Sequence, residues 1–421
     1  MLLLYRVFIY AFLPVLILRF IWRGMRNRSY FSRIGERFGY IADNPPKGGF
    51  WIHAVSVGEV NAAIPLVSQL IDNWPDRPIV ITTMTTTGSD RVRKALADKV
   101  FHCYLPYDYP GAVRRFIKRI EPKLGMVMET EIWPNLINQC HKSHIPLVYT
   151  NVRLSQRSFR GYNRFRSLFS QVLPKVSQFA VQSEADAKRL ILLGAPEKRV
   201  HVTGSLKFDI TLPPSVGEAG ESIRRQLGLN RPVFLAASTH EGEESRVIEA
   251  FAAIRTKLPQ TLLIIVPRHP ERFNHVARLC QKSELICQRR SNMSGVSFET
   301  TDVLVVDTMG ELPMFISAAD VTFMGGSLVA VGGHNLLEPA SLAKPVIFGP
   351  YMFNFAEISE MFLQQGAGIQ VKSTAELAEV AIRLLDDAAM RDQFGTQGEK
   401  LMAQNRGALI RVINLITREL I

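Results

Sequence analysis

The stretch WIHAVSVGEV, residues 51–60, indicates how the chain folds. Residues 51–54 are mostly apolar and predict a buried strand, and the small residues after them predict a tight turn. Gly58 and Glu59 then mark the beginning of a helix. A buried strand that leads through a short turn into a helix is the repeating unit of a parallel sheet covered by helices.

The same unit recurs along the rest of the chain, where apolar runs of strand length alternate with amphipathic runs of helix length. The first series of predicted strands lies at residues 50–54, 79–83, 100–105, 124–128, 147–151, 178–182 and 200–203. A second series lies at residues 233–237, 262–266, 285–287, 303–306, 321–324, 346–348 and 368–371. Two such series predict an α/β fold of two doubly wound, Rossmann-like domains that face each other across a cleft.

The joint between the two series is predicted at residues 211–220, TLPPSVGEAG, which are rich in Pro and Gly. We therefore expect a hydrophobic segment at residues 1–22, a first domain at residues 23–210 and a second domain at residues 211–421.

The composition excludes several classes of protein. The 421 residues are 47% hydrophobic and 21% charged, which argues against disordered and fibrous chains. The four cysteines show no C-x-x-C spacing, which argues against a disulfide scaffold and a structural zinc site.

The net charge of +12 is unevenly distributed along the chain. Residues 1–205 hold 29 Lys and Arg against 14 Asp and Glu, whereas residues 206–421 hold 21 against 24. We therefore expect the first half to contact an anionic partner, such as a membrane surface, a phosphorylated lipid or a nucleic acid.

The amino terminus reads LLLYRVFIYAFLPVLILRFIW at residues 2–22. Its uncharged core, residues 7–18, has 12 residues, whereas a straight helix that spans a bilayer needs about 20. Several arginines follow it, a pattern that favours a cytoplasmic location for the rest of the chain. The segment predicts a membrane anchor, either spanning or interfacial; the alternative is a buried amphipathic first helix of the first domain.

Acidic residues follow two strands of the first series, where doubly wound sheets bind their ligands. Glu59 lies in a first helical turn, where we expect the helix dipole to keep its carboxylate ionised and suited to act as a general base. The motif METEIWP, residues 128–134, places Glu129 and Glu131 at the end of the fourth strand. These acids predict contacts to sugar hydroxyls or to a cationic transition state. Otherwise Glu59 is a helix-start residue without a role, and one of the other two caps the next helix.

Basic residues follow two later strands of the first series. Residues 151–167, NVRLSQRSFRGYNRFRS, contain five arginines with interleaved aromatic residues, a pattern for binding phosphates or else a solvated helix face. Lys207, in GSLKFD, follows the seventh strand and is placed to neutralise a phosphate leaving group, unless it is an ordinary surface lysine.

The second series carries phosphate-binding patterns. PRHPER, residues 267–272, places Arg268 and His269 after a strand, and arginine binds phosphate bidentately. In MGGSLVAVGGHNLLEPA, residues 324–340, two glycine pairs let the backbone approach a ligand and a helix start offers free N–H groups. Glu338 lies one turn further on, where it is placed to accept bonds from ribose hydroxyls. The alternative is a glycine-rich turn used only for packing.

Several familiar motifs are missing from the sequence. It contains no G-x-x-x-x-G-K-[ST], no G-x-G-x-x-G after a strand, no D-x-D and no G-x-S-x-G. These absences argue against P-loop hydrolysis, NAD chemistry, a metal-bound diphosphate and an α/β-hydrolase nucleophile.

Six motifs together resemble a known family, the 3-deoxy-D-manno-octulosonic acid (Kdo) transferases of Gram-negative bacteria. They are WIHAVSVGE, ETEIWP, NVRLSQRS, GSLKFD, PRHPER and GGHNLLEPA, in this order over most of the chain. The resemblance implies a GT-B type glycosyltransferase that moves Kdo from CMP-Kdo to the lipid A precursor, lipid IVA, with inversion and without a metal or cofactor. It also implies work at the cytoplasmic side of the inner membrane.

The resemblance implies a role for individual residues. Glu59 becomes the proton acceptor, and Glu129 and Lys207 stabilise the transition state. The residues implied to bind CMP are Arg268, His269, Met309, Gly310, Glu311, Asn335, Leu336, Leu337 and Glu338. Ser205 departs from the family pattern, in which Asn is common, and leaves the assignment of Lys207 intact.

Two other functions compete with this interpretation. One is a GT-B enzyme that uses a UDP-sugar, such as a lipid-linked N-acetylglucosaminyltransferase or a non-hydrolysing epimerase, which the glycine loops and Glu338 alone would allow. The other is a membrane-bound nucleic-acid-binding protein, suggested by the arginine run. No helix-turn-helix, zinc-finger or RNP-like pattern supports nucleic acid as a partner.

Overall fold

The computed structural model describes residues 1–15, 18, 22, 25, 33–41, 44–210, 212–292, 298 and 300–420. It divides into two compact units, of which unit 1 comprises Met1–Asp209 with Asn405–Ile421 and unit 2 comprises Ile210–Gln404. Each unit contains a seven-stranded sheet in which all neighbouring strands are parallel. The predicted α/β class with two doubly wound sheets is therefore confirmed.

The sheet of unit 1 has the strand order β3-β2-β1-β4-β5-β6-β7. Its strands are β1 (Phe50–His53), β2 (Ile79–Thr83), β3 (Phe101–Tyr104), β4 (Leu124–Met128), β5 (Leu147–Val152), β6 (Gln178–Val181) and β7 (Val200–Val202). Its helices before unit 2 are α1 (Leu2–Ala11), α2 (Val57–Asn73), α3 (Thr86–Leu96), α4 (Pro110–Ile120), α5 (Pro134–Lys142), α6 (Gln156–Asn163), α7 (Arg166–Val172) and α8 (Glu184–Leu193). The order of the strands reverses between β1 and β4, which are direct neighbours.

Strand β1 shows why this sheet is covered on both faces. Trp51 packs edge-on against Phe116 of α4, with ring centroids 5.4 Å apart, on one face of the sheet. Phe50 and Ile52 point to the other face, where they join a core cluster with Leu66 of α2. Because successive side chains of a strand alternate between faces, the consecutive apolar residues Phe50, Trp51 and Ile52 require that both faces of the sheet are covered.

The sheet of unit 2 has the strand order β10-β11-β9-β8-β12-β13-β14 and reverses between β8 and β12. Its strands are β8 (Val233–Thr239), β9 (Leu262–Pro267), β10 (Cys287–Arg289), β11 (Val303–Val305), β12 (Val321–Met324), β13 (Val346–Phe348) and β14 (Ile369–Gln370). Its helices are α9 (Ser215–Leu227), α10 (Glu244–Lys257), α11 (Phe273–Lys282), α12 (Leu312–Ala318), α13 (Leu337–Ser341), α14 (Ala356–Gln364), α15 (Thr374–Asp386) and α16 (Ala388–Asn405). Edge strand β10 begins two residues later than predicted.

The last helix, α17 (Ala408–Arg418), belongs to unit 1, so the prediction that the second domain runs to residue 421 is wrong at its end. Val412 and Ile416 of this helix lie in the core cluster that also contains Phe50. The Asp209 carboxylate accepts hydrogen bonds of 2.6 Å from the backbone N–H groups of Gly407 and Leu409. Burial of an apolar helix face against the first sheet therefore decides where the chain end lies.

The predicted joint at residues 211–220 is wrong in its second half, because helix α9 begins at Ser215. Residue 211 lies outside the described residues. Gly220 lies in α9 against α12, where a Cβ atom would come within 2.3 Å of the Ser317 hydroxyl. The glycine thus permits close packing of two helices rather than a flexible connection.

Only part of the predicted anchor at residues 1–22 is described, since residues 16, 17 and 19–21 lie outside the described residues. Helix α1 belongs to unit 1, as the alternative predicted, but it buries none of its residues completely. Leu3, Leu4, Val7 and Phe8 are all more than half exposed. Within the described ranges, no helix has both the length and the apolar character to cross a membrane.

Candidate functional site

Glu59 lies after β1, in the first turn of α2, and is only 7% exposed. Its Oε2 atom accepts a hydrogen bond of 2.8 Å from the Val55 N–H, and its Oε1 atom accepts one of 3.1 Å from the Ser56 hydroxyl. Ser56 is the N-cap of α2, but its hydroxyl donates to Glu59 instead of accepting a bond from the helix, so the Ser-x-x-Glu spacing does not form a capping box.

Burial raises the pKa of the Glu59 carboxyl to about 7. The negative charges of Glu129 and Glu131 raise it further, while the bonds from Val55 and Ser56 oppose the shift. The carboxylate is therefore only partly ionised at neutral pH, because loss of hydration outweighs the expected effect of the helix dipole. A carboxyl group with a pKa near 7 can accept and release a proton under physiological conditions.

Glu129 follows β4, the strand next to β1 at the reversal of strand order. Its backbone has a φ of 56°, in the left-handed region, and its N–H donates a 2.8 Å hydrogen bond to the Thr150 carbonyl. Left-handed backbone at a non-glycine residue is strained and recurs at functional sites. The structure thus brings Glu129 and Glu59 to one edge of the sheet, where their charges interact.

One alternative predicted that Glu129 or Glu131 caps the helix after the METEIWP motif. The structure shows a different cap. Asp108 accepts hydrogen bonds from the N–H groups of Asn135 (2.9 Å) and Leu136 (2.8 Å) at the start of α5. Burial raises the pKa of Glu131, and the charge of Glu129 raises it further. The cap by Asp108 was missed because it comes from a loop 27 residues earlier in the chain.

Lys207 lies on a short 3-10 turn, Leu206–Phe208, after β7 and is half-buried. Leu206 packs into the core cluster that contains Val60 of α2, so the turn lies against the helix that carries Glu59. The Asn151 side-chain oxygen accepts a 3.1 Å hydrogen bond from the Leu206 N–H and holds the turn in place. The Ser205 hydroxyl caps the same turn, which fits the expectation that serine at this position leaves Lys207 in place.

All five arginine side chains of residues 151–167 are exposed. Helix α6 of this run is joined to the METEIWP motif, because the Tyr162 hydroxyl donates a 3.1 Å hydrogen bond to the Thr130 carbonyl. The run therefore forms a cationic surface that adjoins Glu129 and Glu131 in unit 1.

In unit 2, Glu243 organises the glycine loop that follows β12. This carboxylate is fully buried and accepts hydrogen bonds from three consecutive N–H groups, those of Gly326 (2.7 Å), Ser327 (3.1 Å) and Leu328 (2.9 Å). At Gly325, a Cβ atom would lie 2.7 Å from the Ser238 carbonyl, so glycine is needed for this approach. Sequence reasoning missed Glu243, since only the fold brings β8 and β12 together.

Arg268 and Glu338 lie close enough to interact electrostatically. Burial raises the pKa of Glu338, whereas a 3.3 Å bond from the Asn335 amide and the charge of Arg268 lower it. Leu336 and Leu337 are fully buried, so only their backbone groups are available to a ligand.

Three histidines, His240, His269 and His334, form a cluster near Arg268. The Nε2 atoms of His240 and His334 lie 2.8 Å apart, and the His269 ring packs edge-on against His240. Burial lowers the pKa of His334 to about 3, and the nearby charges of His240, Arg268 and His269 lower it further. Strands β9, β8 and β12 are neighbours in the sheet, so the loops that follow them bring the three histidines together.

The segment Met309–Glu311 follows β11. Met309 is 61% exposed and Gly310 has a φ of 89°. The Glu311 carboxylate is occupied by Arg290 at 2.8 Å, and this contact lowers the pKa of Glu311. The exposed groups of this predicted nucleotide contact are therefore the Met309 side chain and the backbone around Gly310.

Metal-ligating side chains do not converge anywhere in the part of the chain that the structure describes. No group of three or more His, Cys, Asp or Glu residues there is arranged to hold a metal ion.

Two family models match this chain. One, described as 3-deoxy-D-manno-octulosonic-acid transferase (kdotransferase), covers residues 32–210, and the other, glycosyl transferases group 1, covers residues 222–401. A 3-deoxy-D-manno-octulosonic acid transferase from Haemophilus influenzae is 42% identical over 395 residues, which are 93% of this chain and 92% of that protein. A protein with the same name from Bordetella pertussis is 35% identical over 92% of this chain and 90% of its own.

Solved structures share the fold. The UDP-GlcNAc 2-epimerase from Neisseria meningitidis superposes with a TM-score of 0.58 over 88% of this chain and 100% of its own. Its sequence identity is 14%, so this likeness concerns the fold alone.

Proposed function

Because this chain belongs to the 3-deoxy-D-manno-octulosonic acid transferase family, we propose that it transfers Kdo from CMP-Kdo to the phosphorylated lipid A precursor, lipid IVA, with inversion. The chain is a glycosyltransferase with the two doubly wound units of the GT-B class. The observation that carries the proposed mechanism is the buried Glu59 carboxyl, whose pKa of about 7 suits a general base.

Glu59 removes the proton from the acceptor hydroxyl as that oxygen attacks the anomeric carbon of Kdo. The bond to the CMP phosphate breaks on the opposite face, so the configuration inverts. Two features support this role: the carboxyl is held by Val55 and Ser56, and it is shielded from water. A fixed and desolvated base needs little reorganisation at the moment of transfer.

Glu129 and Lys207 stabilise the transition state. Bond breaking leads bond making, so positive charge develops on the sugar ring and negative charge on the departing phosphate. The Glu129 carboxylate offsets the first and the Lys207 ammonium the second. Two observations support these roles: Glu129 has a left-handed backbone at the end of its strand, and the Asn151 side chain holds the turn that carries Lys207.

Unit 2 holds the nucleotide. Arg268 and His269 contact the single phosphate of CMP, and Glu338 accepts hydrogen bonds from the ribose hydroxyls. The backbone of Met309, Gly310 and Glu311 and that of Asn335, Leu336 and Leu337 completes the contacts. Because CMP leaves with one phosphate only, cationic side chains and backbone N–H groups suffice in this proposal, without a metal or cofactor.

The acceptor is recognised at the membrane. The exposed arginines of residues 151–167 suit its phosphates, and the exposed apolar side chains of α1 suit the interface of an anionic bilayer. We place the enzyme on the cytoplasmic side of the inner membrane, with the lipid acceptor and CMP-Kdo as its partners and no role for nucleic acid.

Transfer from CMP-Kdo to lipid IVA, followed by mass spectrometry of the product, tests this function. We expect addition of Kdo by the wild-type enzyme and tighter binding of CMP than of UDP in calorimetry. The absence of transfer, together with a preference for UDP, would instead favour a UDP-sugar enzyme.

A further inference from the structure

A basic pocket lies on unit 1 where helices α1, α4 and α5 meet. Its volume is about 300 Å³, and its cationic lining residues are Arg6 of α1, Arg114 of α4 and Lys142 of α5. Among the residues that the structure describes, its lining includes three cations, three side-chain amides and no carboxylate. We propose that this pocket binds the phosphate of a membrane lipid headgroup, preferably a phosphomonoester.

The pocket is a built feature, because α1 is fastened to unit 1. The Tyr5 hydroxyl donates a 2.9 Å hydrogen bond to the buried Asp108, and Arg6 Nε donates one of 2.8 Å to the Asn135 side chain. The Tyr109 hydroxyl donates a 3.0 Å bond to the Ile9 carbonyl. These bonds position the Arg6 guanidinium beside α4 and α5.

The charge in the pocket is suited to an anion. Arg114 and Lys142 are exposed, so their charged ends reach solvent at the rim. Behind them, Lys175 donates a 2.6 Å bond to Asn138. Burial lowers the pKa of Lys175, and the nearby charges of Lys142 and Arg6 lower it further, so these three cations lie near one another. The acid Asp108, which is hydrogen-bonded to the lining residue Asn135, already accepts bonds from Tyr5 and the start of α5.

The position of the pocket favours a lipid over a free phosphate. One side of α1 is partly buried and contains Leu2, Tyr5, Arg6 and Ile9. The other side is exposed and contains Leu3, Leu4, Val7 and Phe8. One helix therefore presents apolar side chains on one side and borders the basic pocket on the other. Acyl chains beside the apolar side and a phosphate in the pocket would bind together.

This inference rests on the proposed membrane partner and is tested apart from catalysis. The full-length protein is bound to vesicles that contain phosphatidate or, at equal surface charge, phosphatidylglycerol. We expect tighter binding to phosphatidate, since a phosphomonoester carries more charge and more acceptor oxygens. The double variant R114Q/K142Q should weaken phosphatidate binding by about tenfold.

A matched double variant, R93Q/K99Q, removes the same residue types from exposed positions in and after α3. It should keep the preference for phosphatidate. Equal losses in both variants, or binding of inorganic phosphate without any lipid preference, would overturn the lipid site. Transfer to detergent-dispersed acceptor should be unchanged in R114Q/K142Q, so a failure of the pocket is distinguishable from a failure of the proposed function.

Discussion

Glu59 in unit 1 and Glu243 in unit 2 both follow the first strand of their sheet, at the reversal of strand order, and both are buried. Glu59 accepts two hydrogen bonds and has two acidic neighbours. Glu243 accepts bonds from the N–H groups of Gly326, Ser327 and Leu328 and a longer one from His240. The same place in two similar sheets thus holds the proposed proton acceptor in one unit and a structural anchor in the other.

Burial alone therefore does not assign a role to a carboxylate. Burial raises the pKa of both groups. The bonding partners distinguish the two roles, because backbone N–H donors stabilise a charge, whereas neighbouring carboxylates destabilise it and favour proton uptake.

The largest expected effect is that of Glu59→Gln on catalysis. The variant cannot accept a proton, so transfer should fall by about 10³-fold while CMP affinity stays unchanged. Single-turnover transfer and calorimetry measure the two quantities. Glu121→Gln, at an exposed position in unit 1, is the control. Equal losses of affinity and turnover would contradict the role of Glu59.

The same variant should not destabilise unit 1 at pH 8. The folded pKa of about 7 lies above the ordinary value of 4.5, so the ionised carboxylate opposes folding above pH 7. This opposition disappears as the pH falls below about 4.5, where the group is protonated in both states. Urea unfolding of both proteins at pH 8 and pH 4 measures the difference.

Glu243→Gln should lower the free energy of unfolding of unit 2 by about 3 kcal/mol, because at least one buried N–H loses its acceptor. Hydrogen exchange of the β8 and β12 N–H groups measures this change. Glu249→Gln, on the exposed side of α10, should leave the exchange unchanged. If Glu243→Gln abolished transfer without any change in exchange, a chemical role would replace the structural one.

Ile416→Val should lower the free energy of unfolding of unit 1 by about 1 kcal/mol, since it removes one buried methylene group beside the first sheet. We expect faster hydrogen exchange of the β1 N–H groups and unchanged exchange of the β8 N–H groups. Ile410→Val, at an exposed position of α17, is the control. The reverse pattern would place the last helix with unit 2.

The smallest expected effect is a shift in the pH dependence of the transfer rate. Transfer should rise with pH through about 7 and level off above it, as Glu59 loses its proton. Glu131→Gln removes a negative charge that raises the pKa of Glu59, so the rise should move to lower pH by about half a unit. Initial rates between about pH 5 and 9 test this, and a shift to higher pH would be incompatible with Glu59 as the base.

Strand positions were predictable because a strand buried on both faces is largely apolar, as in residues 50–54. The prediction was least accurate at edge strand β10, whose residues are only half-buried. The place of Glu59 in the first turn of α2 depends on neighbouring residues and was therefore visible in the sequence. By contrast, Asp108 and Glu243 accept bonds from N–H groups 27 and 83 residues away, and no local pattern indicates such partners.

The sequence by itself determined the alternation of strands and helices, the excess of positive charge in the first half and the acidic and basic residues that end the strands. These properties depend on neighbouring residues and on composition. The tertiary structure alone decided that the last helix packs on the first sheet, that Glu59 has a pKa near 7 and that three histidines gather in unit 2. These depend on which distant segments exclude water from one another, and only the folded chain brings those segments together.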